Sequence, residues 1–112
     1  MMGLADDGGL LVPDEFPHVG NKLLEWRALN FTELSLEIIL LFTSGRIPRE
    51  EFTSLVQRSY TSFRHPKITP VKSIGEIHIL ELFHGPTFAF KDVALQFLGN
   101  LFESFLKSAI TL

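Results

Sequence analysis

The chain has 112 residues, the length of one domain or of a piece of one. Hydrophobic residues make up 46% of it, enough for a core, and a net charge of −3 leaves no basic footprint for nucleic acid or anionic lipid. The absence of cysteine rules out a disulfide framework and a thiolate metal site, and the four histidines (His18, His65, His78, His84) fall at no metal-ligand spacing.

The opening Met1-Met2-Gly3-Leu4-Ala5-Asp6-Asp7 is acidic and has no basic stretch leading into an apolar run. No secretory or organellar signal is read there, and the expected location is the cytoplasm. No apolar run approaches the roughly 18 to 20 residues that span a bilayer. Residues 6–21 are rich in glycine and proline and predict an extended, irregular segment. A single helical turn is expected around Trp26. The triplet Asn30-Phe31-Thr32 matches a glycosylation sequon, but without a secretion signal a structural role for Asn30 takes precedence.

That role is helix capping. Asn30 can cap a helix over 31–43, and Glu33, three residues on, can complete a capping box. Leu34, Ile38, Leu41 and Phe42 repeat at helical spacing on one face, which predicts the buried stripe, and Gly45 is placed to end the helix. A second helix is expected from Pro48, a residue suited to a helix start, with Glu50 and Glu51 at its positive end. Its inner stripe is Phe52, Leu55 and Val56, with Tyr60 near the end. The two prolines of 61–70 predict a loop. In it Arg64 and His65 read as ligands for a phosphate or, the commoner role, as a solvated pair.

Two strands follow over 70–74 and 75–83, with a tight turn at Gly75-Glu76. In Ile77-His78-Ile79-Leu80-Glu81-Leu82-Phe83 both alternating faces are apolar, the pattern of a strand covered on most of both sides. After a turn at 84–86, a last helix is predicted over 90–107. Val93, Ala94, Phe97, Leu98, Leu101, Phe102, Phe105 and Leu106 give it a broad apolar stripe, which on a chain of this length leaves an exposed patch.

At the junction of strand and helix stands Lys91, between Phe90 and Asp92. A lysine at a helix start is ordinarily a solvated surface residue. Here the positive end of the macrodipole opposes its charge, and inward-packed aromatic neighbours would strip its water. Both effects favour the neutral amine, the form that attacks a carbonyl.

The surrounding word, Phe83-His84-Gly85-Pro86-Thr87 followed by Ala89-Phe90-Lys91-Asp92, resembles the cofactor-lysine segment of the threonine synthase family, pyridoxal-phosphate enzymes of fold type II. Gly8-Gly9-Leu10-Leu11-Val12-Pro13 with Phe16-Pro17 is similar to the family's opening segment. Asn30-Phe31-Thr32-Glu33, Ile47-Pro48 and Phe63-Arg64-His65-Pro66 follow in the family's order. The resemblance runs from about residue 3 to about residue 106 and is nearest to the animal (type 2) and fungal threonine synthase-like proteins.

It implies an α/β fold, a partial N-terminal domain over 1–112 with three main helices and a few short strands. It implies pyridoxal 5'-phosphate as cofactor in the intact parent, with Lys91 as the catalytic, Schiff-base lysine. It also implies a phosphorylated hydroxy-amino acid as the small-molecule partner, of the O-phosphothreonine or O-phosphohomoserine type. The parent is then a synthase or a phospho-lyase that releases phosphate. Gly85 and Pro86 are expected to shape the turn, Thr87 to cap the helix and Asp92 to suit its first turn. His84 reads equally as a substrate contact or as a hydrogen-bonded structural residue.

The family's Gly-rich cradle for the cofactor phosphate and its Ser-Gly-Asp-Thr-Gly segment lie downstream of the lysine helix, outside these 112 residues. The chain alone is therefore expected to be an inactive fragment. Two other readings stand beside this one. The chain is a non-catalytic truncated isoform with a binding or signalling role, or its Phe-rich helices form a docking module with no enzymatic parent.

Overall fold

The structure is a computed structural model that describes residues 4–43, 45 and 47–110. From residue 4 to residue 19 the chain has no regular structure, as its glycines and prolines predict, and a 3-10 turn (Gly20–Lys22) then leads into the short helix α1 (Leu23–Trp26). Asn30 is extended at the next helix start. Its Oδ1 accepts from the Glu33 N–H at 3.0 Å, and its own N–H donates to Glu33 Oε2 at 2.8 Å. This reciprocal box satisfies two backbone donors and starts α2 (Phe31–Leu40) where the sequence places it. The helix ends three residues earlier than expected, in a turn ahead of Gly45, which lies at φ +68°.

Pro48 precedes α3 (Arg49–Tyr60), the helix around which the core forms. Phe52, Leu55, Val56 and Tyr60 are buried as their spacing predicts, and Phe52 is wholly enclosed. Burying one such aromatic side chain is worth about 1.5–3 kcal/mol. Leu36 of α2 packs on this stripe with Phe31, Ile39 and Leu40. The expected stripe of Leu34, Ile38, Leu41 and Phe42 faces the other way, lining an open groove of ≈ 520 Å³ with Trp26 and Phe16. Phe31-Thr32-Glu33-Leu34-Ser35-Leu36-Glu37-Ile38-Ile39-Leu40 carries apolar residues on both sides of the helix, so periodicity alone does not say which side meets α3.

The loop 61–70 leads into an antiparallel hairpin, β1 (Val71–Ile74) and β2 (Ile77–Leu80), paired Val71 to Leu80 through Ile74 to Ile77. Gly75 turns the chain at φ +60°, a conformation that glycine adopts without Cβ strain. All eight strand residues are exposed, so the two-sided cover predicted for β2 is not supplied by these residues.

The last helix, α4 (Asp92–Ile110), starts two residues later than predicted and ends three residues later. Val93, Phe97 and Leu101 pack on the core, with the Phe97 ring 5.6 Å from that of Phe52. Leu98, Phe102, Phe105 and Leu106, from the same predicted stripe, stay exposed. Polar contacts fasten α4 to α3. The Tyr60 hydroxyl donates to Val93 O at 3.0 Å, and Asn100 Nδ2 donates to Ser59 Oγ at 3.2 Å. Burial pushes the Tyr60 phenol pKa up, so it stays a neutral donor. No helix among the described residues is long and apolar enough to cross a membrane.

Candidate functional site

Beyond β2 the chain stays extended through 81–84 and reaches the corner that carries Lys91. Two groups fix that corner from opposite sides. On one side is Arg64, from the loop after α3. Its main-chain N–H donates to His84 O at 2.9 Å. Its guanidinium donates through Nη1 to Gly85 O and, at 3.4 Å, through Nη2 to Pro86 O, and lies 4.1 Å from the centre of the Phe88 ring. The residue is exposed, yet its guanidinium is held by carbonyls and an aromatic face rather than standing free in solvent.

On the other side is Asp92, the first residue of α4 and only 3% exposed. Its carboxylate accepts from the Thr87 N–H at 2.8 Å and from the Thr87 hydroxyl at 2.7 Å. A buried carboxylate needs such donors. The direction reverses the expected one: Thr87 does not cap the helix, and Asp92 instead reaches back to hold Thr87. This is why α4 begins at 92 and 85–91 forms successive tight turns, with Phe88 N–H donating to Gly85 O and Asp92 N–H to Ala89 O. Gly85 is required by proximity. A Cβ there would collide with Asp92 Cβ and with its carboxylate.

Phe88 sits at φ +62°, an uncommon conformation for a bulky residue that costs about 1–3 kcal/mol. His84 Nε2 pairs with Glu81 Oε2 at 2.7 Å, both side chains being largely covered, and the His65 ring lies 4.9 Å from that of His84. His84 is thus hydrogen-bonded, as its structural reading expects. His65 Nδ1 accepts from the Lys67 N–H and is likewise engaged locally.

Lys91 closes this sequence of turns, immediately before α4. It is exposed, and its amine makes no hydrogen bond or ion pair among the described residues. The aromatic neighbours do not pack inward around it: Phe88 is 62% exposed and Phe90 65%. The aromatic enclosure expected around this lysine is not formed by these residues. An accessible amine on a fastened loop fits a group attached through an aldehyde. Two of the five guanidinium N–H donors of Arg64 are turned to the Gly85 and Pro86 carbonyls. Among the described residues no cluster of His, Asp and Glu could hold a metal ion.

Sequence reasoning named Lys91, Gly85, Pro86, Thr87, His84 and Asp92 at this corner, and the structure brings them together with Arg64. The clamping role of Arg64 carries no local signal, because its partners lie more than twenty positions further on.

Comparison with known proteins bears on the whole chain. The family model described as threonine synthase N terminus matches residues 1–60. A threonine synthase of Schizosaccharomyces pombe is 52% identical over 109 residues, which cover 95% of this chain and 21% of that protein. A threonine synthase-like 2 protein of Xenopus laevis is 38% identical over 108 residues, 94% of this chain and 23% of its own. The crystal structure of PLP-bound threonine synthase from Brucella melitensis superposes with a TM-score of 0.89 at 38% identity, over 96% of this chain and 24% of that one. The chain thus spans about a fifth to a quarter of the length of the proteins it matches.

Proposed function

The chain belongs to the threonine synthase family through its N-terminal region, and from that premise we propose that it forms the lysine-bearing N-terminal portion of a pyridoxal-phosphate enzyme of fold type II. The substrate class is an O-phosphorylated hydroxy-amino acid of the phosphothreonine or phosphohomoserine kind, and phosphate is released. The observation that carries this reading is the exposed Lys91 amine, without a partner among the described residues, on a loop held by Arg64 and Asp92. The cofactor of the Brucella relative supports the same reading.

Lys91 would hold the coenzyme through Nζ. When bound, the coenzyme supplies an electron sink for charge developing at the substrate carbons. The Lys91 amine would accept and return a proton at those carbons. Asp92, packed against Gly85 and bonded to Thr87, fastens the loop that ends at the lysine. The phosphate-binding loop comes from outside these 112 residues, so the segment alone does not turn over substrate.

In the full-length protein, Lys91→Ala is expected to abolish both the visible absorbance of bound coenzyme and phosphate release from O-phosphothreonine and O-phosphohomoserine. A variant that keeps both overturns the proposal.

A further inference from the structure

We infer that Arg64 is a positioning residue for Lys91, acting through the 84–88 loop; the inference rests on the proposed function above. Its contacts fall on one short run of chain. The main-chain N–H takes His84 O, the guanidinium takes Gly85 O and Pro86 O, and its flat face covers Phe88. A planar fork with a stacking face suits such a set of partners, and an ammonium does not.

Phe88 explains why the loop needs holding. It is kept at positive φ, where a bulky residue relaxes unless its surroundings prevent it. Asp92 restrains the downstream side through Thr87, and the bond from Asp92 N–H to Ala89 O continues that restraint past Phe88. Release of Phe88 therefore moves the start of α4 and, with it, the Cα of Lys91. Arg64 does not touch the amine. It sets where the amine starts from.

The test compares wild type, Arg64→Ala, Arg64→Lys and Phe88→Ala in the full-length protein. Each is first stripped of bound coenzyme, then incubated with pyridoxal 5'-phosphate and cyanoborohydride, and the rate of pyridoxyl attachment at Lys91 is read by peptide mapping. The pH profile of the visible absorbance is recorded alongside, and far-UV circular dichroism checks folding. Both Arg64 variants are expected to slow attachment by up to about 100-fold, the scale for a reacting group displaced by roughly 1 Å. Lysine is expected not to rescue, whereas a purely electrostatic role for Arg64 would be rescued. Phe88→Ala moves the rate the same way by less.

Should Arg64→Ala not fold, Arg64→Lys alone decides. A folded Arg64 variant that labels Lys91 at the wild-type rate with an unchanged pH profile overturns the inference and leaves the proposed function standing. A wild-type protein that is not labelled at Lys91 overturns both.

Discussion

A Cβ on Gly85 would collide with the Cβ of Asp92, and the consequence is measurable. The Asp92 side chain is short and pinned by two donors from Thr87, so it cannot swing away from a methyl group placed on Gly85. Gly85→Ala is therefore expected to cost about 1–3 kcal/mol in denaturant unfolding, the usual cost of overpacking. A change within about 0.5 kcal/mol, typical of surface substitutions, would show that the corner is looser than described. Much of this corner was legible as a word, because strand, turn, lysine and helix are contiguous in sequence. The direction of the Thr87–Asp92 bond was not, since either residue can serve as acceptor at a helix start. Nor was Arg64, whose role depends on how the 61–70 loop folds back across the strand exit.

Helices were readable where their ends carry side-chain chemistry. Asn30 and Glu33 satisfy each other's backbone donors, and Pro48 with two glutamates marks the start of α3. Asn30→Ala is expected to lower stability by about 1 kcal/mol by removing the acceptor for the Glu33 N–H. Thermal unfolding measures it, and an unchanged midpoint would mean that α2 is held by packing alone. The faces of the elements were harder to assign. α3 has charged and polar residues on one side, so its inner stripe is unambiguous. α2 and β2 are apolar on two sides, and within these residues only one side of α2, and neither side of β2, is covered.

The uncovered faces dominate the molecule as a whole. A compact monomer of 12.7 kDa has about 6,200 Å² of accessible surface, and this chain has 8848 Å². Its radius of gyration is 16.1 Å, against about 13 Å for a compact domain of this length. The exposed residues include Phe102, Phe105 and Leu106 on α4, Ile77 and Leu80 on the hairpin, and Phe88 and Phe90 at the lysine corner. Such a surface suits a chain that packs against more protein, whether the rest of its own fold or a partner. Purified alone, the chain is expected to self-associate and to bind a hydrophobic dye; a dye-free monomer that unfolds cooperatively would favour the isoform reading.

The chemical identity of the coenzyme-bearing residue is the most direct thing to measure. Borohydride reduction of the full-length protein as isolated, followed by mass-spectrometric peptide mapping, is predicted to find the pyridoxyl group on Lys91 within Phe88-Ala89-Phe90-Lys91-Asp92. Stoichiometric recovery of that group on any other lysine, with Lys91 unmodified, would contradict it.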